Sequence, residues 1–162
     1  MKIDVATDED IRAVALQMRE RDFAEFSAVT PVETREALAE LLAARYGGRP
    51  DVLCASIDDG PVCIGGTIES RPNVMTLLFF ATDKFPDIAI PITRFIRRLF
   101  SGYEKAGVHR IEAVSLDDYA QMHRWLRSLG LEDETGPMRN YGKDGETFIQ
   151  FARVKSVCTT GA

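Results

Sequence analysis

Lys2 to Ala6 alternates apolar and polar positions, the period of a short strand. Thr7-Asp8-Glu9-Asp10 then pairs a capping residue with acids in a first turn, and Ile11, Val14, Ala15 and Met18 recur at helical spacing. Residues 22–29 are rich in Phe and Ala without a clean period and read as irregular. Thr30-Pro31-Val32-Glu33 is a capping box with Pro at the first helical position. It predicts a second helix through Leu38, Leu41, Leu42 and Arg45, closed by Gly47-Gly48.

Three strands follow in the pattern. Residues 52–57 lead into the hairpin signal Asp58-Asp59-Gly60, residues 62–69 form the next strand, and Arg71-Pro72-Asn73 turns into residues 74–81. Leu77-Leu78-Phe79-Phe80 is apolar on both faces, which places that strand centrally. Gly65-Gly66 within the second strand marks a bulge or a close backbone approach.

A long helix is predicted from about Asp87, with Ile88, Ile92, Phe95, Ile96, Leu99 and Tyr103 as its buried stripe and Gly107 as its end. Residues 110–114 read as a strand. Ser115-Leu116-Asp117-Asp118 reads as the start of a further helix with Tyr119, Met122, Leu126 and Leu129 inward, stopped by Gly130. A short strand begins at Leu131, and residues 147–152 form the last. The order β-α-α-β-β-β-α-β-α-β-β implies a mixed α/β sheet with helices on both faces. Residues 1–154 make one domain and 155–162 a tail that reads as flexible, with Cys158 exposed in it.

Composition narrows the function classes. The 162 residues include 45% hydrophobic and 28% charged residues, enough for one core without disulfides or metals. The net charge of −5 argues against nucleic acid as a partner. Residues 1–82 hold 8 Lys/Arg against 14 Asp/Glu, and residues 83–162 hold 12 against 11, so the second half suits an anion better. No apolar run is long enough to span a membrane, and the acidic N-terminus lacks a secretory apolar region, so a cytoplasmic setting is expected. Three cysteines, none in a CxxC pair, and two histidines make no zinc pattern. Cys54 and Cys63 flank the hairpin turn, where they could face each other, and read as small apolar side chains.

The run 108–114 and the step at 123–131, together with the words TDKFP (82–86), TRFIRRLF (93–100), RWLRSLGLE (124–132) and RNYGKDGETFIQFAR (139–153), resemble the GNAT (Gcn5-related N-acetyltransferase) superfamily. The wording is similar to a GNAT-like subgroup encoded by tailed phages and prophages. The resemblance implies a GNAT-like mixed sheet. It also implies acetyl-CoA, with its pyrophosphate on backbone N–H groups at the start of the long helix. Candidate cofactor residues are then Phe80 and Thr82 on the central strand and Ile88, Ala89 and Ile90 in the turn, with oxyanion support from strand amides near Phe80. Candidate catalytic residues are Tyr119 as an acid, His123 as a base and Glu69 as a base at a strand end. The family pattern Arg-x-x-Gly-x-Gly/Ala falls on Asp87, Ile90 and Ile92, and Pro91 offers no N–H. The tyrosine that many family members use as an acid falls on Leu126.

Two readings stay open at this point. One is a non-catalytic GNAT-fold protein, a phage virion, assembly or host-interaction component with a virion or host protein as partner, in the host cytoplasm or the particle. The other is an acetyl-CoA-dependent N-acetyltransferase acting on a primary amine, with no metal.

Overall fold

The computed structural model describes residues 1–156; the remaining tail, including Cys158, lies outside the described residues. The elements are β1 (Lys2–Val5), α1 (Asp8–Leu16), α2 (Glu20–Ala28), α3 (Arg35–Tyr46), β2 (Val52–Ile57), β3 (Gly60–Arg71), β4 (Val74–Ala81), α4 (Ala89–Lys105), β5 (Arg110–Leu116), α5 (Ala120–Ser128), β6 (Glu132–Asp133) and β7 (Phe148–Val154). A 3-10 turn at Phe85–Asp87 precedes α4. The strands form one sheet in the order β1-β2-β3-β4-β5-β7-β6, so β4 is central, as its two-sided apolar run predicts. Only β4 and β5 pair in parallel; every other neighbouring pair is antiparallel.

The two faces of β4 feed two cores. Leu78 and Phe80 pack with Ile11, Val14, Leu38 and Leu42 beneath α1 and α3. Phe79 packs with Ile92, Ile96 and Phe100 of α4 and with Leu126 of α5. Period-2 alternation in a strand with a helix layer on each side requires this split. Cys54 belongs to the first core and Cys63 to the second, so the two thiols lie on opposite faces and do not meet across the hairpin.

Several boundaries differ from the sequence expectation. Residues 22–28 are helical within α2, with Val29 as its C-cap; its N-cap Arg19 makes no side-chain capping bond, so no local start signal marks it. The third helix starts after Thr34, whose hydroxyl accepts from the Ala37 amide at 3.1 Å, and not at Thr30. Lys143 Nζ holds Val32 O at 2.9 Å and the Glu33 carboxylate at 3.0 Å, which removes Glu33 from a capping role. Residues 115 and 116 continue β5, because Leu116 still pairs with Phe148 of β7. Phe100, fully buried, completes the α4 stripe that the sequence drew through Tyr103.

The first helix carries a reciprocal cap: Asp10 N–H donates to Thr7 Oγ1 at 3.1 Å and Thr7 N–H donates to Asp10 Oδ2 at 3.0 Å. Thr7→Ala is expected to cost about 1 kcal/mol. In a protein of this size that is a fall in Tm of about 2–4 °C, read by differential scanning calorimetry.

Candidate active site

The site begins where the parallel pairing stops. β4 and β5 are in register at Val74↔Arg110, Met75↔Ile111 and Thr76↔Glu112, and no further. Beyond that point β4 follows β3 as far as Ala81↔Cys63, while β5 follows β7 as far as Leu116↔Phe148. The strands splay, and a cleft of about 140 Å³ opens between them. Its walls are apolar, with Leu78, Phe79 and Val114 from the strands and Met122 and Leu126 from α5; Glu25 of α2 is its one acid.

Splayed strands leave amide groups without a ladder partner, and a buried amide must find one. α2 supplies two. Asp22 Oδ2 accepts the Ala81 N–H of β4 at 2.9 Å, and Glu25 Oε2 accepts the Leu116 N–H of β5 at 2.9 Å. Residues three apart share a helix face, so one turn of α2 clips both strands across the open end.

These acids differ in their electrostatics. Asp22 also accepts Tyr119 OH at 2.7 Å and Arg19 Nε at 3.0 Å. Burial nevertheless holds its carboxyl above the ordinary value, against the pull of Arg19. Burial and the neighbouring Asp22 push the Tyr119 phenol well up. The Glu25 carboxyl is pushed up to about 7 by burial, which outweighs its bonds to Leu116 N–H and to Ser115 Oγ at 2.8 Å. Arg21, the nearest cation on the same helix, pairs with Asp118 instead. Both of those bonds use Oε2, and Oε1 of Glu25 has no hydrogen bond among the described residues. A carboxyl that titrates near neutrality in an apolar cleft can give or take a proton.

The residues singled out from sequence fare differently. Tyr119 is buried and precedes α5, with its hydroxyl on Asp22, so it braces α2 and has no free proton to deliver. His123 is buried, and its Nε2 lies 2.8 Å from Leu116 O, so that nitrogen is engaged by backbone. Glu69 is exposed on β3 opposite Met75, where β4 and β5 are still paired, and its carboxylate accepts the Asn73 N–H at 3.3 Å. It does not face the cleft. Phe80 is fully buried in the α1–α3 core. Thr82 N–H donates to Val62 O of β3, and Ala81 N–H points to the splayed side. By ladder alternation the cleft-facing amide is that of Phe79, not Phe80. Glu25 and Asp22, which organise the site, lie in the segment read as irregular. An acid pair at i, i+3 among Phe and Ala was the only signal for them.

The start of α4 tests whether the residues suit the diphosphate of coenzyme A. The amides of Phe85, Asp87 and Ile88 are spent inside the turn on Thr82 O, Lys84 O and Phe85 O. Pro91 has no amide hydrogen, which leaves Ala89 and Ile90. Ile88 is buried, Ile90 is 67% exposed at the helix start, and the exposed Asp87 adds a negative charge there. Arg19 is committed to Asp22, and Lys84 to Asp59 at 3.2 Å. Further in, Trp125 Nε1 of α5 donates to Thr93 Oγ1 of α4 at 3.0 Å, and its ring lies 4.2 Å from that of Phe79. Phe85 closes the cluster at 5.1 Å from Phe79. A gap between the starts of α4 and α5 is lined by Phe85, Ala89 and Gln121, and it shares Met122 and Trp125 with the wall of the splayed cleft. The residues do not fit the diphosphate arm: only two amides are left at the turn, and Asp87 places a negative charge beside them. Among the described residues no group of three or more His, Cys, Asp or Glu could hold a metal ion, and no helix is long and apolar enough to cross a membrane.

No family model matches the chain. No curated protein matches it by sequence. Solved structures match it over nearly its whole length. The ribosomal-protein-S18-alanine N-acetyltransferase from Escherichia coli is 19% identical, with a TM-score of 0.67 over 99% of this chain and 97% of that one. A GNAT-family acetyltransferase from Bacillus anthracis is 16% identical, with a TM-score of 0.67 over 94% and 93%. The structure of yncA from Salmonella typhimurium with its cofactor acetyl-CoA is 16% identical, with a TM-score of 0.66 over 99% and 98%. The chain therefore has the GNAT acetyltransferase fold.

Proposed function

We propose that this chain is a degenerate GNAT-fold protein that works by binding, with a protein as its partner, and not by acetyl-CoA-dependent transfer. The observation that carries this reading is the turn at 85–91, where three amides are spent on the turn itself, two positions are proline and only the amides of Ala89 and Ile90 are left. The Trp125–Thr93 bond supports it, because it ties α4 to α5 across the corridor an acyl carrier would need. A fold does not determine a function; the site does. The sequence words that resemble a phage-encoded subgroup make a virion or host protein the partner to test first, in the host cytoplasm or the particle.

Thermal shift with acetyl-CoA tests it. A ligand at a hundred times its Kd adds about 2.7 kcal/mol, which is a rise of roughly 5–10 °C for a protein of this size. No resolvable shift at millimolar acetyl-CoA is expected. A rise of that size overturns the reading.

One observation favours the alternative, an acetyl-CoA-dependent N-acetyltransferase acting on a primary amine. Glu25 titrates at about 7 in the cleft, where a base for an incoming ammonium would be placed. Under that reading Glu25 takes the amine proton, in place of Glu69 or His123.

A further inference from the structure

A second cavity lies on the α4 side of the sheet, separated from the cleft by Leu77 and Phe79 of β4. α1 and α3 cover the other face of β2 and β3. On this face α4 covers only part of the sheet, and a groove of about 150 Å³ runs beside it. Its walls are Phe95 and Leu99 of α4 and Ile3 and Leu53 of the outer strands, with Cys63 and Gly65 of β3 as floor. It extends from Ile92 to Tyr103, about 16 Å along the helix.

Two features make this groove a site of particular chemistry. The first is Gly65. Its φ is outside the left-handed region, and an added Cβ would meet only ordinary contacts, 3.7 Å to the Phe79 ring. Backbone geometry does not require glycine there; its effect is a floor without a side chain. The second is Thr67, at the end near Tyr103. The residue is 4% exposed and lines the groove, and its hydroxyl has no hydrogen bond among the described residues. The Tyr103 hydroxyl, in the same lining, likewise has none. Both hydroxyls are open to the groove, where a ligand's own hydroxyl or amide can pair with them. The charged groups at that end, Arg49 and Asp51, are already joined at 2.7 Å and 2.8 Å. They present no net charge to a ligand.

We propose that this groove binds a lipophilic alcohol or amide, its chain lying along α4 and its uncharged head between Thr67 and Tyr103. The groove is apolar with a few polar groups, as small-molecule sites are. The proposal goes beyond the function proposed above and holds whichever way the cleft works, since the two cavities are titrated by different ligands.

Calorimetric titration with hexanol, octanol and decanol tests it, with decanoate and decylamine as charged controls. One saturable site is expected, tightening roughly fourfold per added methylene. The charged compounds are expected to bind at least about tenfold more weakly than decanol, since a buried unpaired charge is costly. Gly65→Val, which fills the floor, abolishes binding. Thr67→Val, close in shape, weakens every alcohol by about 2–10-fold and leaves the chain-length dependence intact; circular dichroism establishes that both variants are folded. Absence of saturable binding by the wild type overturns the proposal. So does equal binding of decanol and decylamine, or unchanged binding by Thr67→Val. A dimer in sedimentation equilibrium that Gly65→Val dissociates assigns the groove to a second copy of the chain, and also overturns it.

Discussion

Asp22→Ala is expected to destabilise the protein by about 3–5 kcal/mol, the range for breaking a buried ion pair from one side. Asp22 is 2% exposed and satisfies three groups at once: the Ala81 amide, the Tyr119 hydroxyl and the Arg19 guanidinium. Removing it leaves Arg19, only 12% exposed in its side chain, without its counter-charge and leaves two donors unpaired. It also releases α2 from β4. Urea unfolding gives the measurement, with Asp22→Asn as the milder variant that keeps an acceptor for one donor. A loss below about 1 kcal/mol, the scale of a surface pair, contradicts the role assigned to this residue.

Glu25→Gln is expected to act in the opposite direction and to depend on pH. The folded carboxyl holds its proton up to about pH 7, whereas an unfolded glutamate releases it near 4.5. Between those values the native state binds more protons than the unfolded state, so stability falls as pH rises, and the penalty is complete above pH 7. Asp22, also held above its ordinary value, adds a contribution of the same sign from lower pH. A shift of this size corresponds to at most about 3 kcal/mol. The substituted amide would carry no charge to desolvate, and its oxygen can still accept from Leu116 N–H and Ser115. The variant is therefore expected to be more stable than wild type at pH 8, by up to about 3 kcal/mol, and nearly equal to it at pH 5. Urea midpoints at the two pH values decide the matter. Equal stability of the two proteins at pH 8 removes the case for a titrating carboxyl in the cleft.

Strands 52–57 and 74–81 and the helix ends at Gly107 and Gly130 were legible because each carries its signal within a few residues. The hairpin turn at Asp58-Asp59-Gly60 and the left-handed φ of 108° at Gly107 and 88° at Gly130 are local facts. The candidate site was hardly legible. Asp22 meets Ala81 across 59 residues and Tyr119 across 97, and Glu25 meets Leu116 across 91. A helix held in this way has no cap, and its polar face looks in sequence like an exposed one. Tyr119 and His123 were located on the correct helix region, but nothing in their spacing shows that one braces Asp22 and the other bonds a strand carbonyl.

By itself the chain determined its layers: a two-sided apolar strand at the centre, helices on either side, and an α4 start built from branched residues and a proline. Those follow from side-chain period and backbone chemistry, which act over a turn or two of chain. Only the tertiary structure decided that β4 and β5 part after Thr76, that two acids of α2 fill the amides left there, and that Trp125 closes the space between α4 and α5. These outcomes depend on which distant groups meet after the core has packed. Burial then sets how each of those groups ionises, and no local pattern encodes the burial of Asp22 and Glu25.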